Sequence, residues 1–138
     1  MGKVTVQIKL QNSGDLELLA VGKRKQPART VVTDALVDTG ATRLYLKSSV
    51  IKRLGLREMD TVQSLTMSNR REPRRVFSAV DIEIQGRSGT FRVVELPDEL
   101  PNIVGQIPLE EMDWVVDLKN RKLIPNPEHK DGVMCEDF

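Results

Sequence analysis

Apolar and polar residues alternate at the start of the chain: Val4, Val6, Ile8 and Leu10 are separated by Thr5, Gln7 and Lys9. That two-residue period is the mark of a strand with one buried face. Gln11-Asn12-Ser13-Gly14-Asp15 interrupts it with turn chemistry, so Leu16 to Val21 reads as a returning strand and the two together as an opening hairpin. Gly22 to Pro27, with Lys23, Arg24 and Lys25 in succession, has the composition of a solvated loop. Thr30 to Val37 is the next predicted strand and leads into Asp38-Thr39-Gly40. Leu44-Tyr45-Leu46 resumes a short strand. Ser48-Ser49 offers a helix N-cap, Val50, Ile51 and Leu54 supply an apolar face, and Gly55 is a natural stop.

Further on, Thr61 to Met67 is a candidate strand, and Ser68 to Arg75 is either a hairpin tip or an exposed loop. Val76, Ser78, Val80, Ile82 and Ile84 alternate with Phe77, Ala79, Asp81 and Glu83, one of the clearest strand patterns in the chain. Gln85 to Gly89 turns the chain, and Thr90 to Leu96 pairs back. After a Pro97 to Pro101 linker, Ile103-Val104 forms a short apolar strand closed by Gly105. Pro108 to Met112 reads as little more than one helical turn, and Trp114 to Leu118 with Lys122 to Ile124 as a final hairpin. The pattern predicts a mostly β fold with one or two short helices, a single domain over residues 1–127 and a polar tail over 128–138.

Composition narrows the functional classes. With 138 residues, 39% hydrophobic and 30% charged, the chain can bury a core without staples. A net charge of +1 predicts no global attraction to nucleic acid or membrane, and no apolar run approaches the length of a membrane span. The single cysteine, Cys135, cannot form an internal disulfide and fits a cytoplasmic location.

Among the candidate chemical groups, Asp38 stands out because a carboxylate arrives where an apolar strand meets a tight turn. A lone carboxylate near its ordinary pKa of about 3.9 is a poor base, whereas two that share a proton divide the roles of acid and base. Only one Asp-Thr-Gly occurs, so the second carboxylate must come from elsewhere, and a two-fold dimer would supply Asp38 of a second copy. The tripeptide alone also fits a structural turn. Asp34 reads as a surface residue, and on a strand it lies about 13 Å from Asp38, too far to share a metal ion. His129 reads as a tail residue, Trp114 as packing, and Cys135 lacks the neighbours of a nucleophile. No metal or other cofactor is expected.

Ala35-Leu36-Val37-Asp38-Thr39-Gly40-Ala41-Thr42 resembles the active-site motif of the retropepsins, single-domain aspartic proteases of retroviruses and their cellular and bacterial relatives. The likeness continues through Leu54-Gly55-Leu56 and Asn102-Ile103-Val104-Gly105-Gln106, spanning roughly residues 31–126. It implies a closed, barrel-like β domain that acts as a homodimer on peptide or protein substrates. On this reading Asp38 is the catalytic carboxylate, Thr39 locks the two turns across the dimer axis, Gly40 lets the backbone approach closely, and Ala41 is small where substrate passes. Ile103, Val104 and Gly105 form the second glycine-closed segment. The covering flap falls on Leu65 to Val76, with Met67, Ser68, Asn69, Arg70 and Arg71 at its tip, and the Trp114 to Ile124 region would join an intersubunit sheet. This tip is basic and free of glycine, and Gln106 stands where many viral members carry an arginine that braces the dimer. Two functions therefore compete: an aspartic endopeptidase using an Asp38 dyad, and a non-catalytic dimerisation or peptide-binding module on the same fold.

Overall fold

The computed structural model describes residues 3–65 and 69–129. In chain order the elements are β1 (Val4–Asn12), α1 (Ser13–Ala20), β2 (Thr30–Val37), β3 (Leu44–Lys47), α2 (Ser48–Leu54), β4 (Glu58–Leu65), β5 (Arg71–Ile84), β6 (Arg87–Leu96), β7 (Ile103–Val104), α3 (Gln106–Glu111), β8 (Trp114–Asp117) and β9 (Lys122–Pro125). The main sheet runs β1-β2-β7-β3-β6-β5-β4, and a further β1–β5 pairing closes it into a ring. The fold is mostly β, a closed ring-like sheet as expected. Ile8, Leu10, Leu44, Leu46, Ile82, Ile84, Val93 and Val104 fill its interior and are almost wholly shielded from solvent. β1 delivers its share of this core by the predicted alternation.

The opening hairpin is a correction. Leu16 to Ala20 belongs to helix α1, and β1 pairs with β2 on one side and β5 on the other. Asn12 caps the helix by accepting a hydrogen bond from the Asp15 backbone N–H at 3.1 Å. Leu-Glu-Leu-Leu-Ala is then a run of strong helix formers with no β-branched residue to favour a strand. The described residues thus hold three helices, where one or two were expected.

Other boundaries shift for local reasons. α2 begins after Lys47 without a serine cap: the Asp98 carboxylate accepts from Ser49 N–H at 2.9 Å, while Ser48 Oγ turns toward Glu95. Gly55 ends the helix in the left-handed conformation, at φ 63°. A bulge between Phe77 and Val80 breaks the strict alternation of β5, so Val76 and Phe77 are both buried. The β5–β6 turn takes two residues, Gln85 and Gly86, both at positive φ as a type I′ hairpin requires.

At the C-terminal end β8 and β9 form their own two-stranded sheet. Trp114 is buried and lies beneath the Arg87 guanidinium, 4.6 Å from ring centroid to Cζ. His129, read from sequence as a tail residue, instead meets Asp113, with its Nδ1 2.7 Å from Oδ2. Asn126 donates to the other Asp113 oxygen at 3.1 Å, and Arg87 donates to the Asp113 carbonyl at 2.7 Å. Cys135 lies outside the described residues. Among the described residues, no helix is long and apolar enough to cross a membrane.

Candidate active site

β2 carries its apolar residues inward at Val31, Ala35 and Val37 and turns Asp34 and Leu36 outward. Asp38 follows on that outward side and is exposed, as are Thr39 and Gly40. Within the turn, Gly40 N–H donates to Asp38 Oδ1 at 2.8 Å and Ala41 N–H donates to the Asp38 carbonyl at 3.1 Å. A Cβ on Gly40 would come within 3.1 Å of Asp38 Oδ1, so glycine leaves this side-chain-to-backbone bond its room. The second Asp38 oxygen has no hydrogen-bond donor among the described residues, and neither does the Thr39 hydroxyl.

The second glycine-closed segment holds the turn from beneath. Asp38 N–H donates to Val104 O at 3.1 Å, Gly105 N–H to Arg43 O at 2.9 Å, Gln106 N–H to Ala41 O at 2.8 Å and Ile107 N–H to Thr42 O at 3.0 Å. The two backbones meet so closely at Gly105 that an added Cβ would sit 2.5 Å from Arg43 O and 2.7 Å from Ala41 O. Both contacts are with backbone, which cannot swing aside as a flexible side chain could. Asp38, Thr39, Gly40 and Ala41 are thereby brought against Ile103, Val104 and Gly105, two stretches far apart in sequence. Beside them Leu36 pairs with Ile103, and Ile103 with Tyr45, giving a half-buried apolar shelf on the outer face.

Sequence reasoning assigned no role to Asn102. Its side chain is buried and bridges two strands, with Nδ2 donating to Asp34 O at 3.0 Å and Oδ1 accepting from Lys47 N–H at 2.9 Å. Its carbonyl accepts from Leu36 N–H at 2.8 Å. β7 pairs with β2 through only two residues, and Asn102 extends that short junction with side-chain bonds. The only signal in the sequence was a polar residue opening the apolar Ile103-Val104 run.

The candidate flap is a hairpin: β4 and β5 pair antiparallel, with Leu65 opposite Arg71. The β5–β6 ladder begins at Val76, so the backbone of Arg71 to Arg75 pairs with β4 alone. Arg71 is therefore in a strand, and Asn69, at φ 62°, lies in the tip beside Arg70. Met67 and Ser68 fall outside the described residues. Much of the basic charge is neutralised locally. Arg75 grips Glu95 through two bonds of 2.8 and 2.9 Å and reaches Glu58 at 3.0 Å, and Arg74 pairs with Glu72 at 3.1 Å. Gln106 also turns to its own helix, donating to Glu110 at 2.7 Å.

A family model described as aspartyl protease matches residues 28–107, more than half of the chain and the whole of this junction. The chain belongs to the retropepsin-like aspartyl protease family. The match begins just before β2 and ends in the first turn of α3, so it contains both halves of the glycine-closed junction. All of β1 and α1 precede it. A search of curated proteins finds no match to the chain.

Proposed function

We propose that this protein is an aspartic endopeptidase acting as a homodimer, in which Asp38 of each copy contributes one carboxylate to a shared dyad. The observation that carries the reading is the Asp38 turn itself: it is fixed by backbone bonds to the Gly105 segment, yet among the described residues one oxygen of its carboxylate meets no donor. In the dyad one carboxylate accepts a proton from water while the other, protonated, donates a hydrogen bond to the substrate carbonyl. The resulting oxygen nucleophile attacks the carbonyl carbon to give a tetrahedral intermediate. Proton transfer to the amide nitrogen then lets the C–N bond break, releasing a carboxyl and an amine product.

The remaining assignments follow from the same reading. Thr39 joins the two turns across the dimer axis, Ala41 keeps the substrate path open, and the β4–β5 hairpin covers the cleft. Residues 1–127 form the catalytic unit, with 128–138 as a tail fastened at its start through His129, and the single cysteine supports a cytoplasmic setting.

A second reading, a non-catalytic dimerisation or peptide-binding module, is favoured by two observations: the basic hairpin tip, and Gln106 bonding within its own helix. Cleavage of a peptide library at mildly acid pH by wild type and Asp38→Asn separates the two. The protease reading expects cleavage by wild type alone, at concentrations where the protein is dimeric. Equal cleavage by both proteins, or none by either, would refute it.

A further inference from the structure

We propose that an open cavity on the outer face of β1 and β2 is a subsite for an acidic side chain of the bound peptide, with Lys3 and Lys47 as its charge-reading residues. This rests on the outer face of β2 being the peptide cleft. The cavity measures about 360 Å³, and its lining includes Lys3, Thr5, Asp34, Leu36, Lys47 and Pro101. Leu36 and Asp34 point to the same side of β2 as Asp38, and side chains on one face of a strand recur about every 7 Å. The cavity therefore begins roughly one same-face step from the Asp38 carboxylate. An extended peptide running alongside β2 has the same repeat, so with its scissile bond at Asp38 a side chain within a residue or two of that bond enters the cavity.

The charges select the sign of that side chain. Two lysines and one aspartate line the cavity; neither lysine comes within ion-pair distance of a described carboxylate, while the Lys47 charge helps, after the Ser49 hydrogen bonds, to hold the nearby Asp98 carboxyl below the ordinary range. Lys47 is held in place at both ends: its backbone N–H is fixed by Asn102 Oδ1, and its Nζ donates to the Asp98 carbonyl at 3.2 Å. That contact leaves further ammonium donors for a ligand, since a lysine carries three. The Thr5 hydroxyl adds a neutral donor beside them. Among the lining residues a glutamate or aspartate side chain meets two cations and one anion, whereas a basic one meets the reverse.

The test uses the full chain carrying Asp38→Asn, which holds peptide without turning it over. Its binding to fluorescein-labelled peptide pools is read by anisotropy, each pool fixing either glutamate or glutamine at one position. The proposal expects the glutamate pool to bind about tenfold tighter at one position, as a charge-assisted contact provides, with the preference shrinking as salt is raised. Lys47→Glu and Lys3→Glu should each reduce or reverse it, and Lys47→Met, which keeps an apolar stem of similar length, should reduce it without reversal. Equal binding of the two pools, binding of neither, or a preference unchanged in Lys3→Glu and Lys47→Met overturns the subsite. Wild-type cleavage without acid preference would also sink the subsite, while leaving the protease reading intact. Acid-selective binding without wild-type cleavage would sink the protease reading and leave the subsite standing.

Discussion

Two aspartates in this protein sit at opposite extremes. Asp15, in the first turn of α1, is buried and saturated with partners: Arg29 reaches both of its oxygens at 2.9 Å, the Arg29 N–H donates at 3.0 Å, and Arg24 stands 3.4 Å away. Asp38, at the end of β2, is exposed and accepts from Gly40 N–H. The hydrogen bonds and charge of Arg29 outweigh the cost of burial and hold the Asp15 carboxyl down at about 2. A carboxylate so thoroughly occupied is a fastener. It ties α1 to the chain entering β2, while Asn12 donates from its side chain to Leu54 O at 2.8 Å and fastens the same segment to α2. The stretch from α1 to Arg29 is thereby latched onto the barrel that β1 helps to form. Asp38 keeps one carboxylate oxygen without a donor among the described residues, as the proposed proton exchange requires.

Substitutions at the two aspartates should therefore fail in opposite ways. Asp38→Asn is expected to lower cleavage by roughly three orders of magnitude or more, the scale of a lost acid–base group, while thermal stability moves by less than about 0.5 kcal/mol. A comparable loss of stability in this variant would erase the distinction. Gly105→Ala attacks the floor of the Asp38 turn, forcing a methyl against two carbonyl oxygens. It should destabilise by about 2–3 kcal/mol in denaturant unfolding and abolish cleavage in the fraction that folds.

Asp15→Asn should cost about 2 kcal/mol, below the usual figure for a broken buried pair because Arg29 is half exposed, with cleavage per folded molecule unchanged. Loss of cleavage in a folded Asp15→Asn protein would show that the latch reaches the active turn. The smallest effect is in the pH dependence. Because the folded-state value of Asp15 lies below the ordinary 3.8, its contribution is fully present above that value and is lost as pH falls toward about 2. The wild type should lose on the order of 1–2 kcal/mol across that window relative to Asp15→Asn, measured by unfolding curves at successive pH values.

Legibility differed between the two regions for physical reasons. The Asp38 region is written in local terms: an alternating strand, a turn tripeptide, and a second apolar pair closed by glycine. Its elements emerged where the pattern placed them. The latch is written in long-range terms. Leu16 to Ala20 was readable as either strand or helix from its apolar content, and the deciding signal, Asn12 capping Asp15, spans three residues and is easily taken for a turn. Nothing local marks Asp15 as the partner of Arg29. In the same way Ser48 resembled a cap until Asp98, from another segment, took that role, and His129 resembled a tail residue until Asp113 met it.

By itself the sequence determined the strand periods, the apolar inventory of the core and the chemistry of the Asp38 turn, because each depends on neighbours within a few residues. The tertiary structure alone decided which backbones meet at Gly105, that Asn102 braces the junction of β2 and β3, that Asp15 is consumed by Arg29, and that Lys3 and Lys47 share a cavity with Asp34. Those outcomes depend on the ring closing, which sets residues far apart in the chain at hydrogen-bond distance, and no local pattern encodes that closure.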